Sequence, residues 1–217
     1  MKKYVFIAMA VVIGYMISGC ASTPKATGPA AVPEENMVLS MPKDRPEWII
    51  KEPETEGDKY IFIGLSAERV ATEKDARDDA QNTAIKNVAK YMGTYVNDKI
   101  ERIATAYGLS SDIVNPTKVS RDREEQLTKA FASRVKASDW YLEKWQNKLK
   151  ESYWKAYVKT TVPKVSMDEE FKDLMNGSIE QLKKQRDAAS DEKAKTQYEN
   201  AMNAFEDAKQ KGFTLEK

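Results

Sequence analysis

Tyr153-Trp154-Lys155-Ala156-Tyr157-Val158-Lys159-Thr160-Thr161-Val162 is the stretch that decides the fold. Trp154, Ala156, Val158, Thr160 and Val162 fall on one face, and Tyr153, Lys155, Tyr157, Lys159 and Thr161 on the other. A period of two with one apolar face describes an antiparallel strand set between a core and water. Pro163 has no N–H for a ladder and ends the run. Just upstream, residues 146–151 form a polar turn. Before them Phe131, Ser133, Val135 and Ala137 alternate, and Trp140 and Leu142 continue after a register step at Ser138-Asp139, read as a bulge. The two runs predict a hairpin.

Further back, Ala76, Ala80, Ala84, Val88, Met92, Val96 and Ile100 recur every four residues, with Ile85, Ala89, Ile103 and Ala104 widening the stripe. This predicts an amphipathic helix that starts at a capping-box-like pair, Thr72 and Asp75, and stops near Gly108. Its early alanines would let it lie close to a sheet. The β-branched and aromatic run at 60–66 reads as a strand, in which Gly64 permits close backbone approach. Strand, helix, strand, strand predicts an α+β fold: an antiparallel sheet of about three strands packed on one long helix. Residues 109–124 read as a loop.

After Pro163, Ser166 and Glu169 suggest a second capping box, followed by the stripe Phe171, Leu174, Met175, Ser178, Ile179 and Leu182. The pattern weakens at 187–191 and resumes at Ala194, Tyr198, Ala201, Met202, Phe205 and Ala208, with Gly212 as a C-cap. Two helices fit better than one, because Ser190 can cap the second. The start of the chain has a different character. Met1-Lys2-Lys3 precedes an uncharged apolar stretch from Tyr4 to Ile17, then Ser18-Gly19-Cys20. A basic start, a short apolar middle and small residues describe a secretory signal over 1–19, too short for the roughly 20 residues of a membrane span. Ile17-Ser18-Gly19-Cys20 resembles the bacterial lipobox. That resemblance implies lipidation of Cys20 and its exposure as the first mature residue; Ala21 after it resembles an outer-membrane sorting signal. Acyl chains at about 0.8 kcal/mol per buried CH₂ hold a protein on a membrane. Residues 20–44, rich in Ala, Pro, Ser, Thr and Gly, read as the lipidated cysteine and a disordered tether. The folded domain is expected over 45–165, with a helical extension over 166–217.

Composition narrows the chemistry. The chain has no histidine, which removes the commonest general base and metal ligand. Its single cysteine permits no intrachain disulfide. With 35 basic and 34 acidic residues it lacks the excess positive charge that nucleic acid demands. Glu73, Asp75, Asp78 and Asp79 cluster at a helix start, where the dipole favours acids, and read as a solvated face rather than a catalytic or metal site. The hairpin is dense in aromatics. Trp140, Trp145, Tyr153 and Tyr157, interleaved with lysines, are the candidate partner-binding residues, set against plain cross-strand packing.

Several of these pieces together resemble a known family. They are Arg45-Pro46-Glu47-Trp48-Ile49, the strand at 60–66, Asp75-Ala76-Arg77-Asp78-Asp79-Ala80 opening the alanine-spaced helix, and Trp154-Lys155-Ala156-Tyr157-Val158. The pattern is similar to the twenty-kilodalton bacterial outer-membrane lipoproteins, which include surface antigens and flagellar-associated relatives. The resemblance implies a sheet curled round a long helix, an outer-membrane address and no catalytic residues, and leaves 166–217 unexplained. The expectation is a lipid-anchored envelope protein, not an enzyme, without cofactor or metal. It would play a structural or assembly role through a protein partner or its own copies. The alternative is a module that binds glycan, peptidoglycan included, or another small ligand on the Trp/Tyr hairpin.

Overall fold

The computed structural model describes residues 34–52 and 54–214, and within them the fold is α+β. Its sheet is antiparallel, with five strands rather than about three: β1 (Asn36–Met41), β2 (Thr55–Glu56), β3 (Lys59–Leu65), β4 (Lys136–Gln146) and β5 (Ser152–Pro163), in the order β1-β4-β5-β3-β2. The helices are α1 (Glu47–Ile50), α2 (Glu73–Tyr107), α3 (Ser111–Val114), α4 (Arg121–Ala132), α5 (Lys164–Ala188) and α6 (Glu192–Lys211), with a 3₁₀ turn at Asn115–Thr117. The signal, the lipobox and the first part of the tether lie outside the described residues. The last part of the expected tether does not: Asn36–Met41 pairs along β4.

α2 follows its sequence closely. The Thr72 side chain accepts the Asp75 N–H at 3.1 Å, and Gly108 closes the helix in the left-handed region that glycine tolerates. Ala76, Ala80, Ala84, Val88, Met92, Val96 and Ile100 are all fully buried. The early alanines bring the helix onto the sheet. A Cβ on Gly64 would lie 2.1 Å from the Ala80 carbonyl oxygen, so β3 and α2 meet backbone to backbone. Ala76, Ala80, Ala84, Leu142, Ala156 and Val158 form a small cluster there. The expected bulge is present, as a register shift between Ala137 and Asp139.

The segment before the hairpin differs from expectation. Arg121–Ala132 is a helix, capped by the Ser120 hydroxyl accepting the Arg123 N–H at 3.3 Å. Leu127 and Phe131, one turn apart, bury themselves on its inner side, so Phe131 belongs to α4 rather than to a strand. α5 leaves β5 directly at Lys164, which places Ser166 inside its first turn, where it caps nothing. The two-helix reading holds, with Asp191 as the cap in place of Ser190: its carboxylate accepts the N–H groups of Lys193 and Ala194.

The C-terminal helices are not an appendage. Phe171, Leu174, Met175 and Leu182 from α5 and Ala201, Ala204, Phe205 and Ala208 from α6 share one buried cluster with Val88, Met92, Val96 and Ile100 of α2. The described residues form one compact unit, without a boundary near 166. Phe213, just past α6, packs edge-on against Tyr60, Tyr95 and Tyr91 at ring separations of 5.4, 4.6 and 6.3 Å. No helix among the described residues is long and apolar enough to cross a membrane.

Candidate functional site

The hairpin β4–β5 sets its aromatics by register. Trp140 opposite Val158, Leu142 opposite Ala156 and Lys144 opposite Trp154 face α2. Tyr141 opposite Tyr157, Glu143 opposite Lys155 and Trp145 opposite Tyr153 face the other way. The four candidate residues are therefore split, Trp140 on the helix side and Trp145, Tyr153 and Tyr157 on the outer side.

The outer face is drier than its alternation suggests. Tyr153 is only 8% exposed, with the Glu35 and Arg69 side chains reaching it from outside the hairpin. The Tyr153 hydroxyl donates to Glu35, and Glu35 also pairs with Arg69, whose guanidinium lies 5.5 Å from the Tyr153 ring centre. Arg45 lies 5.4 Å over Tyr157, which tilts against the buried Tyr141 at 5.7 Å. The Trp145 indole N–H donates to Glu143 at 2.8 Å, and Lys155 sits 5.4 Å over its ring. On the helix side Arg77 caps Trp140 at 5.0 Å and Lys144 caps Trp154 at 5.6 Å. Each of the four candidates thus already holds a cation from its own chain, an attraction worth about 0.5–1 kcal/mol where exposed. An incoming ring or sugar would have to displace it.

Burial, followed by the Glu35 hydrogen bond and charge, pushes the Tyr153 phenol up to about 12. Burial and Glu143 raise Tyr157 as well, against the pull of Arg45. For a phenol with a raised folded value, the stabilising contribution is present below the free value near 10 and is lost as pH rises toward 12. In an alkaline absorbance titration, Tyr153→Phe should remove one late-ionising phenol. Loss of an early-ionising phenol instead would mean that the Glu35 clasp is open in solution.

Three acids of the cluster are engaged locally. Asp75 accepts the Thr72 hydroxyl at 2.7 Å, Glu73 pairs with Arg77 at 2.9 Å, and Asp79 accepts the Ala67 N–H at 2.6 Å. No group of three or more ligating side chains disposed for a metal occurs among the described residues.

What composition did not flag is β1. It is an edge strand whose other side has no strand beside it among the described residues. Met37, Val38, Leu39 and Met41 are exposed, Val38 by 51%. Natural sheets usually blunt such edges with charge, proline, extreme shortness or a bulge; of these residues 36–41 carry only the irregularity between Met37 and Leu39. The opposite edge is blunted: β2 has two residues, one of them Glu56, which pairs with Lys159 at 2.8 Å. The only sequence signal for β1 is the run Met37-Val38-Leu39 between two prolines, Pro33 and Pro42. Comparison of the chain with protein-family models, with curated proteins and with solved structures finds no match.

Proposed function

We propose that this chain is a lipid-anchored protein of the bacterial outer membrane that works by protein–protein contact, in a structural or assembly role. The observation that carries the reading is the open β1 edge: an uncharged, exposed apolar strand placed where the chain leaves residues 1–33. A free edge binds a further strand through main-chain hydrogen bonds, with side chains setting specificity. The anchor is supported by the signal pattern ending at Cys20 and by the resemblance of residues 45–162 to the twenty-kilodalton lipoproteins. A domain confined to a membrane surface meets partners at raised effective concentration, so even a six-residue edge is useful there. The cations seated on Trp140, Trp145, Tyr153 and Tyr157 weigh against the alternative, glycan stacking on the hairpin.

In-cell photocrosslinking tests this. A photoreactive residue at Leu39 should give a protein adduct in the membrane fraction, and Cys20→Ser should release the chain from that fraction and diminish the adduct. An unadducted Leu39 position, or a Cys20→Ser chain still fractionating with membranes, would overturn the proposal.

A further inference from the structure

We infer that β1 is a self-complementary edge, joining two copies of this chain antiparallel across a two-fold axis so that their sheets run on as one. The inference rests on the contact reading above and names the partner.

Charge supports it first. Glu34 and Glu35 precede the strand, residues 36–41 are uncharged, and Lys43, Asp44 and Arg45 follow it. Glu35 is held by Arg69 of its own chain, whereas Glu34, paired with Lys148 at 3.2 Å, keeps its side chain 79% exposed. Antiparallel pairing of two identical strands lays the acidic end of each beside the basic end of the other.

The faces then select a register. Asn36, Leu39 and Met41 lie opposite Gln146, Lys144 and Leu142, on the helix side of the sheet. Met37 and Ser40 lie opposite Trp145 and Glu143, on the outer side. The irregularity between Met37 and Leu39 is what places Met37 and Ser40 on the same side despite their odd spacing. Directly opposed residues of an antiparallel pair share a face. Pairing Asn36 with Met41 of the second copy, and Met37 with its Ser40, satisfies this at both ends of the strand. A slip of one residue in either direction sets a helix-side residue against an outer-side one. In the matching register Val38 meets Leu39 of the second copy, and Glu34 comes to the end of the paired strands at which the second copy's chain turns away through Pro42 and Lys43.

Closure follows from the other edge. A chain that stacked β1 on β2 would grow without end, but β2 offers only Thr55 and Glu56. An isologous β1 contact uses up the long edge of both copies and stops at two.

The test uses the full chain, co-expressed with two different C-terminal tags and solubilised from membranes in mild detergent. The two tagged copies should co-purify. Val38→Lys, at an exposed position, should cut co-purification at least tenfold while leaving the far-ultraviolet dichroism unchanged. Glu34→Lys and Lys43→Glu should each weaken it by about threefold or more, and the double variant should restore it. Failure of the wild-type copies to co-purify overturns the inference, as does a pair that survives Val38→Lys. If β1 is covered instead by the chain's own residues 1–33, the copies stay separate while the β1 amides resist hydrogen exchange, which also overturns it. A Leu39 adduct with a different protein, without co-purification, overturns the two-copy contact and leaves the broader contact reading standing. Absence of both overturns the two together.

Discussion

Gly64→Ala should lower the stability of this domain by about 3 kcal/mol or more, although it adds one methyl group. The added Cβ would lie 2.1 Å from the Ala80 carbonyl oxygen, 2.8 Å from the Ala84 Cβ and 2.9 Å from the Ala84 nitrogen. Two of these three atoms are backbone of a 35-residue helix, so they cannot swing aside as a flexible side chain would. Either α2 lifts from the sheet or β3 buckles. Lifting α2 opens the contacts of Ala76, Ala80 and Ala84 with Leu142, Ala156 and Val158, all of them small or branched groups that cannot reach across a gap. Ala84→Gly should not rescue the variant, since the nearest obstacle is the Ala80 carbonyl. Urea unfolding of the two variants and their combination measures this. A Gly64→Ala protein as stable as wild type would show that sheet and helix stand further apart than described.

Phe213→Ala should remove about 3 kcal/mol, the lower end of the range for a buried phenylalanine, because a site near the chain end can partly collapse. Phe213 is 7% exposed and meets Tyr60 from β3, Tyr91 and Tyr95 from α2, and Phe171 from α5. Its backbone N–H donates to Asp168 at 2.9 Å, and Lys172 holds the same carboxylate at 2.6 Å. Burial alone would raise the Asp168 carboxyl, but the Lys172 hydrogen bond and the Phe213 N–H outweigh it and hold the group below the usual range. A depressed folded value contributes stability that is present above the free carboxyl value of 3.8 and is lost as pH falls through and below it. The gap between wild type and Asp168→Asn should therefore close in acid. Thermal or urea melts at pH 7 and below pH 3 read both effects. A Phe213→Ala variant unfolding at the wild-type midpoint would mean that the C-terminal segment is not seated in the core.

The elements readable in the sequence are those whose signal is local and repeated. Seven apolar residues four apart mark one side of α2, and all seven are buried. The alternation in β5 likewise names Ala156, Val158, Thr160 and Val162 as buried, but not Tyr153, which side chains from outside the hairpin cover. β1 was hidden because its partner strand lies about a hundred residues downstream and its own run neither alternates nor differs sharply from the Ala- and Pro-rich segment around it. α4 was hidden by competition. Ser120 and the Leu127–Phe131 spacing are helix signals, yet Phe131, Ser133, Val135 and Ala137 also alternate, and the charged residues between them favour neither reading. At the candidate site the sequence shows aromatics and lysines in one hairpin, but the cations on Tyr153, Tyr157 and Trp140 are Arg69, Arg45 and Arg77, from other elements. Only tertiary structure brings those arginines to those rings. The same holds for the dryness of the outer face, to which Glu35, from a segment that reads as tether, and Arg45, just after it, both contribute.

The Glu35–Arg69–Tyr153 clasp also has a mechanical meaning. Any pull transmitted along residues 1–33 enters the domain at Glu34 and meets this three-way junction before it reaches the hydrogen bonds of β1. Arg69 lies between β3 and α2, and Tyr153 is on β5, so the load is shared with the sheet interior instead of peeling an edge strand one bond at a time. Glu35→Gln would leave the resting domain nearly unaltered and lower the force at which that strand comes away.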